Sequence, residues 1–339
     1  MSDLITICIP TYRRPSMLMH CLHSCLMQDY RPLEIDVSDN SPNDDTRALV
    51  ESLPLPEGVT LRYWRNAPSI GPVENQKKLF AEARGRRFVW MNDDDVLIRG
   101  AVSAMAASFD WAPDVIVSYG IEQVINAAGE VLLDVSARWN AEHKQFPERT
   151  GLRRDLLVCA FWKQMPHVGF LVLTEAARRV GIRDRSEVGL ASDTDFAIRL
   201  GQTYKGSAHA FIDRITIQTR LEPSTLSRTS QDVCWKLYDI VNAMNDLSPE
   251  ETRARDRLLT RIGPLALREH SLAYRRRAAL RIMLSSTYRQ RRGLVRMVYS
   301  AGLIAMPKLA FAMRGQVRTS LDWLPAAPSH LTTAKTVST

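Results

Sequence analysis

Three consecutive aspartates offer the clearest chemistry in the sequence. Asp93, Asp94 and Asp95 directly follow the apolar run from Phe88 to Met91, which has the composition of a buried strand. Neighbouring carboxylates repel one another, and desolvating them is costly unless a cation or hydrogen-bond donors compensate. Mg²⁺ and Mn²⁺ prefer oxygen ligands and often hold nucleotide phosphates. The run therefore predicts a divalent-cation site, although a solvated acidic turn or a capped helix start would give the same residues.

Two further polar clusters are expected at strand ends. The apolar strands predicted at Leu4–Ile9 and Leu33–Val37 run into Pro10–Arg14 and Ser38–Asp45. Strand and helix alternate four times in this part of the chain, which favours an α/β fold with a mostly parallel, Rossmann-like sheet flanked by helices. In such sheets, ligands bind beyond the carboxyl ends of the strands. The three clusters together predict a nucleotide-type ligand but do not define a reaction.

Four motifs in order resemble the opening of family 2 glycosyltransferases. They are Ile7–Pro15, Glu34–Ser41, Ile70–Asn75 and Asn92–Asp95. The resemblance implies the GT-A fold and the transfer of a sugar, with inversion, from a nucleotide-sugar donor. It also implies Mg²⁺ or Mn²⁺ as the cofactor.

The resemblance implies roles for individual residues. Asp39 would hold the base of the nucleotide, Asp94 the ribose and Asp95 the metal that carries the diphosphate, with Asp93 contributing to the nucleotide and the metal. Asn75 would touch the nucleotide unless it is simply a polar surface residue. The other nucleotide contacts implied are Pro10, Tyr12, Arg13 and Arg220.

A later motif, Gly189–Leu200, resembles the acidic motif of the same family. Ser192 stands where the family has its first acid, and Asp193 keeps the second, which implies that Asp193 is the catalytic base. The same two residues could instead cap a helix whose apolar face includes Phe196. A base at a helix N-terminus can do both.

The segment Thr219–Ser227 resembles a family loop that closes over the nucleotide. Many members have a histidine where Glu222 stands. A carboxylate there could ligate the metal, or the loop could use Arg220 or Arg228 on the phosphates.

Beyond the aspartates, the pattern predicts a hairpin around Ala127–Gly129, a helix over residues 150–161 and a strand over 167–173. The strand begins with His167, which is expected near the acceptor side of the pocket.

Charge divides the chain. Its net charge is +8, but residues 251–339 carry a net +13 and residues 1–250 a net −5. Helix formers dominate from about Gln231 onward. We therefore predict a GT-A catalytic domain over residues 1–230, a basic helical extension over 231–327 and a disordered tail over 328–339.

The basic extension has two interpretations. Arg275–Arg277 stand beside an apolar stripe that includes Leu280 and Leu284. Such a helix is typical of an anionic membrane surface, or of an appendage that packs on the catalytic domain and exposes a solvated basic face. Nucleic acid is disfavoured because the acidic first part would repel it.

Cysteine usage and the chain ends favour a cytoplasmic protein, and the basic extension is compatible with a peripheral position at the inner face of a membrane. The five cysteines show neither zinc spacing nor a disulfide framework. The first residues run directly into a strand, so no signal peptide is expected. The apolar run Met297–Met306 is about half the length that a bilayer requires.

The sequence thus predicts a metal-dependent inverting glycosyltransferase acting on a glycan, glycolipid or small-molecule acceptor in surface polysaccharide biosynthesis. A sugar-nucleotide nucleotidyltransferase is one alternative, but Pro10–Pro15 lacks the glycines of its phosphate loop. A non-catalytic nucleotide-sugar-binding module is another, and the departures at Ser192 and Glu222 would fit it.

Overall fold

The computed structural model describes residues 2–221, 234–289 and 293–307. The strands are β1 Ile5–Thr11, β2 Leu33–Asp39, β3 Val59–Arg65, β4 Arg87–Trp90, β5 Val96–Leu97, β6 Val115–Ile125, β7 Gly151–Arg153, β8 Leu171–Leu173 and β9 Ala208–Arg220. The helices are α1 Pro15–Leu26, α2 Asp45–Glu51, α3 Pro72–Glu82, α4 Ala101–Ala107, α5 Leu133–His143, α6 Leu156–Trp162, α7 Thr174–Val180, α8 Arg185–Val188, α9 Ser192–Thr203, α10 Trp235–Asn242, α11 Pro249–Leu272, α12 Arg276–Leu284, α13 Ser286–Arg289 and α14 Leu294–Ala305.

Strands β1 to β4 form the parallel half of a mixed sheet. They lie in the order β3-β2-β1-β4, and every pairing among them is parallel. Parallel strands covered on both faces must be apolar throughout, which is why Ile5, Ile7 and Ile9 are all fully buried. The last residues of β1 and β2, Thr11 and Asp39, stand side by side in the register. The α/β class and the parallel arrangement of these four strands are confirmed.

The other half of the sheet mixes directions. Strand β8 is antiparallel to both β4 and β6, whereas β9 is parallel to β6. The short strands β5 and β7 are each antiparallel to β9. Over the described residues the sheet therefore has nine strands, and only the half formed by β1 to β4 is parallel throughout.

Aromatic rings and one glycine fix helix α9. The ring of Phe196 lies 5.7 Å from that of Trp90 on β4 and 6.0 Å from that of Phe170. At Gly201, a Cβ atom would lie 2.7 Å from the backbone Cα of Leu157, so α9 and α6 meet with no side chain between them. The start of α9 is therefore held in place by core packing.

Several predicted boundaries change in the structure. The helix predicted over residues 150–161 begins only at Leu156, because Gly151–Arg153 pair with β9 as β7. The strand predicted over 167–173 is limited to Leu171–Leu173. The hairpin around Ala127–Gly129 is confirmed by an antiparallel bridge between Ile125 and Val131.

The chain divides into two compact units at Leu258 and Leu259, inside α11. Helix α11 begins with a capping box: the backbone N–H of Glu251 donates to Ser248 Oγ (3.2 Å), and the Ser248 N–H donates to Glu251 Oε2 (2.6 Å). The predicted tail over 328–339 lies outside the described residues. Among the helices described, none combines the length and the apolar character that crossing a membrane requires.

Candidate active site

The carboxyl ends of β1 and β4 bring the first site residues together. The hydroxyl of Thr11 donates to Asp93 Oδ2 at 2.8 Å. The guanidinium of Arg14, at the start of α1, approaches Asp94 at 3.0 Å and Asp93 at 3.5 Å. Burial, followed by the charge of Asp94, raises the pKa of Asp93 to about 6. The carboxylates are therefore crowded and only partly compensated, which favours an added cation.

Asp95 is the most deeply buried of the three acids, at 1% exposed. Its Oδ1 accepts the backbone N–H of Arg220 at 2.9 Å, and its Oδ2 accepts from Asn92 at 3.2 Å. Burial and the charge of Asp94 raise its pKa to about 7, although these donors and His167 act in the opposite direction. The end of β9 thus fixes the carboxylate at the end of β4.

His167 links Asp95 to a second buried acid, Glu122 on β6. Its Nε2 lies 3.7 Å from Asp95 Oδ2 and its Nδ1 lies 3.6 Å from Glu122 Oε1. Burial alone would lower the pKa of His167, but the hydrogen bond to Glu122 and the charges of Asp95, Glu122 and Asp193 raise it to about 9. The raised pKa means that the imidazole is protonated at neutral pH, and it lies between the two acidic side chains.

Glu122 was not singled out in the sequence, because it lies in a stretch without a recognisable motif. Its carboxylate accepts from Thr219 (3.1 Å), Trp139 (3.0 Å) and Gln145 (3.0 Å). Burial alone would raise its pKa, but the hydrogen bond and charge of His167 lower it to about 2. Only the pairing of β6 with β9 and the packing of α5 on β6 bring these partners together, so no local signal could have revealed them.

Asp193 lies in the first turn of α9, where the helix dipole favours a negative charge. It is half-buried, and its charge is one of those that raise the pKa of His167. Asp193 therefore lies close enough to His167 for its charge to act on the imidazole. Asp195 is a different kind of acid: it is buried and paired with Arg199 at 2.7 Å and Arg183 at 3.4 Å.

Asp39 closes the neighbouring part of the site. It is fully buried, and it accepts the backbone N–H of Ser41 at 2.7 Å and the hydroxyl of Tyr63 at 2.9 Å. Asn75 is also buried, at 2% exposed, so it is not a polar surface residue. Its amide donates to the carbonyl of Ser38 at 2.8 Å and accepts from Asn66 at 3.1 Å, which ties α3 to the end of β2.

The segment from Pro10 to Arg13, at the end of β1, is the most exposed part of the candidate site. Pro10 is half-buried, and Tyr12 is 48% exposed. Arg13 is exposed and has a left-handed backbone (φ 55°), an unfavourable conformation for a residue with a side chain. Its N–H donates to Ser41 Oγ at 2.8 Å, which joins the ends of β1 and β2.

Arg220 is 6% exposed and already engaged with the backbone. Its guanidinium donates to the carbonyls of Asp94 (2.8 Å), Asn126 (3.0 Å) and Ala127 (3.0 Å). Its contact with a nucleotide phosphate remains a prediction, as do the other assigned contacts. Glu222 and Arg228 lie outside the described residues.

The sheet order, the flanking helices and the acids at the strand ends define the GT-A glycosyltransferase fold. Solved structures with this fold include S. aureus TarS in complex with UDP-GlcNAc, at a TM-score of 0.55 and 14% identity over 85% of this chain and 92% of that one. They also include the mannosyltransferase PcManGT from Pyrobaculum calidifontis in complex with GDP-Man and Mn²⁺, at 0.55 and 15% identity over 95% and 83%.

Residues 6–160, a little under half of the chain, match the family described as Glycosyl transferase family 2. It is 31% identical over 101 residues to the GalNAc(5)-diNAcBac-PP-undecaprenol beta-1,3-glucosyltransferase of Campylobacter jejuni, covering 30% of this chain and 33% of that protein. The similarity thus spans about one third of the length of the curated relatives. The family resemblance read from the four sequence motifs is confirmed.

Proposed function

We propose that the protein is a metal-dependent, inverting glycosyltransferase that moves a sugar from a nucleotide-sugar donor to an acceptor hydroxyl. The observation that carries this proposal is the convergence of Asp93, Asp95, His167 and Asp193 at one edge of the sheet. The match to this family and the nucleotide-sugar complexes of proteins with the same fold support it.

The residues at the end of β4 fit a divalent metal. Asp95 and Asp93 are buried carboxylates whose pKa values are raised by burial and by the charge of Asp94. Each carboxylate oxygen accepts few protein donors, so lone pairs remain for a hard cation. A bound Mg²⁺ or Mn²⁺ would offset the charge that builds up on the departing nucleoside diphosphate.

Asp193 would act as the base. Inverting transfer needs one carboxylate that takes the proton from the acceptor hydroxyl as that oxygen attacks. Asp193 is half-buried in the first turn of α9, where the helix dipole interacts favourably with a negative charge. The protonated His167 would balance the acids around it and keep their oxygens apart.

The nucleotide would lie along the ends of β1, β2 and β4. Asp39 would accept from the base, Pro10, Tyr12 and Arg13 would cover it, and Asp94 would hold the ribose. Asn75 is fully used within the protein and would act by holding the end of β2 in position. Arg220 would bind a phosphate only through the part of its guanidinium that faces away from its three carbonyl partners.

The acceptor would be a glycan, a glycolipid or a small molecule, within surface polysaccharide biosynthesis on the cytoplasmic side of a membrane. The Campylobacter relative is named for an undecaprenol-linked acceptor, and the Salmonella typhimurium relative is named an abequosyltransferase. The first of these names supports an acceptor attached to a lipid carrier, and the second unit of this chain adds a suitable surface.

That surface lies on α12 and α14. Exposed arginines at 275, 276, 277, 281 and 289 accompany the exposed apolar side chains of Leu280, Leu284 and Val298. Basic and apolar side chains on the same short helices are typical of binding to anionic lipid, at about 1 kcal/mol per basic residue. We propose peripheral membrane binding through this surface.

Lipid co-sedimentation tests the membrane part. Arg277→Glu together with Arg281→Glu should release the full-length protein from vesicles containing anionic lipid. The matched control is Arg84→Glu with Arg86→Glu, two exposed arginines on the first unit, which should stay bound. Equal binding of all three proteins would refute peripheral attachment through α12.

Thermal shift with nucleotides tests the donor site. UDP or GDP with Mn²⁺ should raise the melting temperature, and chelator should remove the effect, because ligands stabilise the state they bind.

Donor turnover, measured as nucleoside diphosphate release, then separates the alternatives. A transferase loses about 10²-fold or more in Asp193→Asn while nucleotide binding is retained. A non-catalytic module would bind without turnover in either protein. A nucleotidyltransferase would release no nucleoside diphosphate from the donor, but it would form pyrophosphate when given a nucleoside triphosphate and a sugar 1-phosphate.

A further inference from the structure

A second group of metal-type side chains lies on the other part of the sheet. Asp155 stands at the residue before α6, Cys159 lies one turn into that helix, and His209 is near the start of β9. Cys159 and His209 are both fully buried. None of the three belongs to the candidate active site, and no function proposed above uses them.

The three potential ligand atoms form a nearly equilateral triangle. Cys159 Sγ lies 3.5 Å from His209 Nε2 and 3.6 Å from Asp155 Oδ1, and the latter two atoms are 3.7 Å apart. The point equidistant from atoms at these separations lies about 2.1 Å from each, within the usual range of zinc–nitrogen and zinc–oxygen bonds and slightly short of a zinc–sulfur bond. A metal displaced slightly from the plane would satisfy all three without moving a backbone.

We propose that Asp155, Cys159 and His209 form a structural site for a thiolate-preferring divalent metal of the zinc class. One sulfur, one imidazole nitrogen and one carboxylate oxygen are a donor set that suits Zn²⁺ and is poorly matched to Mg²⁺ or Mn²⁺. The site would be chemically distinct from the all-oxygen site at Asp93 and Asp95.

The surroundings orient the ligands. Arg153 and Arg149 contact the outer oxygen of Asp155, Oδ2, at 2.5 Å and 3.5 Å, while Oδ1 faces Cys159 and His209. The Arg153 Nε also donates to Oδ1 at 2.9 Å, so that oxygen would be shared between the guanidinium and the metal. The ring of Tyr119 stacks on that of His209 at 5.9 Å and fixes its plane. Ligands held in this way by hydrogen bonds and packing are typical of protein metal sites.

The protonation states require one proton to leave. Burial, followed by the charge of Arg153, keeps the imidazole of His209 neutral, because its pKa falls to about 4 even though Asp155 acts against this. Burial and the charge of Asp155 raise the pKa of Cys159 to about 12, so the metal-free thiol is protonated. Metal binding would release that proton to solvent as the thiolate–metal bond forms.

Such a site would clamp helix α6 to strand β9. Asp155 and Cys159 belong to the first turns of α6 and His209 to β9, and Arg153 on β7 is paired with His209 in the sheet register. Helix α6 in turn contacts α9 directly at Gly201. The group lies near the opposite end of β9 from Arg220, on the order of 30 Å away along the strand.

Cobalt spectroscopy of the full-length protein provides the test. The protein is freed of metal and titrated with Co²⁺. A thiolate ligand gives an intense near-ultraviolet charge-transfer band, which an all-oxygen site cannot produce. We expect this band in the wild type, its loss in Cys159→Ala and its retention in Cys25→Ala, which removes another fully buried thiol.

Zinc retention provides a second measurement that does not depend on the variants folding equally well. The wild-type protein, passed over a desalting column without chelator, should keep about one zinc per chain, and His209→Gln should bind zinc about tenfold or more weakly. A wild type that gives no thiolate–cobalt band and keeps no zinc would overturn the proposal, since the three residues would then be a hydrogen-bonded group only. Loss of transferase activity plays no part in this result, so the two proposals can fail separately.

Discussion

Two pairs of buried acids lie in the parallel half of the sheet, and they are compensated differently. On β2, Glu34 and Asp36 share the guanidinium of Arg62, which contacts them at 3.0 Å and 2.5 Å from a side chain that is itself largely buried. Beyond β4, Asp93 and Asp95 have as neighbouring cations only a half-exposed Arg14 and the imidazole of His167, among the residues that the structure describes.

The difference separates a structural cluster from a site. A buried arginine on the adjacent strand compensates the charge of the two acids of β2 within the protein, although burial still raises the pKa of Asp36 to about 6. Within the described residues, neither Asp93 nor Asp95 is ion-paired with a guanidinium as buried as that of Arg62, and both acids stand where parallel strands end and a ligand can enter. Buried charge without a full internal partner at a strand end is the physical mark of a cation site.

The largest expected difference between the two pairs is in transferase activity after one acid of each is replaced. Asp95→Asn should lower transfer by about 10³-fold or more, because the metal-held diphosphate loses its main ligand. Asp36→Asn removes an equally buried carboxylate and should leave kcat/KM of the folded protein within about threefold, since it touches no ligand. Nucleoside diphosphate release with Mn²⁺ measures both. Full turnover in Asp95→Asn would erase the distinction between the two pairs.

The second prediction concerns stability, and here the acid pair on β2 should be the more sensitive of the two. Arg62→Met should lower the free energy of unfolding by about 3–5 kcal/mol, because it leaves two buried carboxylates without their cation. Arg14→Met should cost less than about 1 kcal/mol, since more than a third of that side chain is exposed and solvent screens its ion pairs. Urea unfolding in chelator compares the two. Similar losses would mean that Arg14 is as structural as Arg62.

A third, smaller effect depends on pH. The raised pKa of His167 contributes to the free energy of unfolding. This contribution is complete below the pKa of the unfolded state, about 6.5, and is lost as the pH rises through about 9. The lowered pKa of Glu122 gives one that is complete above about 4.5 and lost as the pH falls through about 2. The pair should therefore stabilise most between these limits.

Unfolding of the metal-free protein checks this window. The stability difference between wild type and Glu122→Gln should be on the order of 3 kcal/mol near pH 6 and shrink as the pH approaches 9. Glu82→Gln changes an exposed acid and should show no such trend. A difference that grows with pH would contradict the charged state assigned to His167.

The smallest effect is expected at Asp39, an acid compensated by neutral donors. Tyr63→Phe removes one of its two donors and should weaken binding of UDP or GDP with Mn²⁺ by about 1 kcal/mol. Calorimetric titration measures this change. Tyr30→Phe, which loses a hydrogen bond to the carbonyl of Asp3, is the control and should bind as the wild type does.

The parallel half of the molecule could be predicted because its signals are local. Strands β1 and β4 are nearly continuous apolar runs, β2 alternates apolar with polar residues, and all three are followed by polar residues that mark their ends in the sequence. The cap of α11 likewise depends only on Ser248 and Glu251, which are three residues apart in the sequence. Such features need no knowledge of distant contacts.

The mixed half could not be predicted in the same way. Strand β9 carries Asp213 and Arg214 in its middle, and this breaks the apolar pattern. The segment over 150–161 has helix-forming residues, but its first part becomes β7 because β9 offers an edge for pairing. Glu122, His167 and His209 acquire their partners only through this sheet, so their environments are properties of the tertiary structure.

The backbone contact between α9 and α6 at Gly201 has a practical consequence for engineering. The carboxylate of Asp193 takes its position from a helix seated directly on another helix, and therefore not from the loops that would meet an acceptor. Libraries that diversify those loops can alter acceptor choice while Asp193, the proposed base, keeps its place. Any larger residue at 201 would push the helix outward and displace the base, whichever acceptor is supplied.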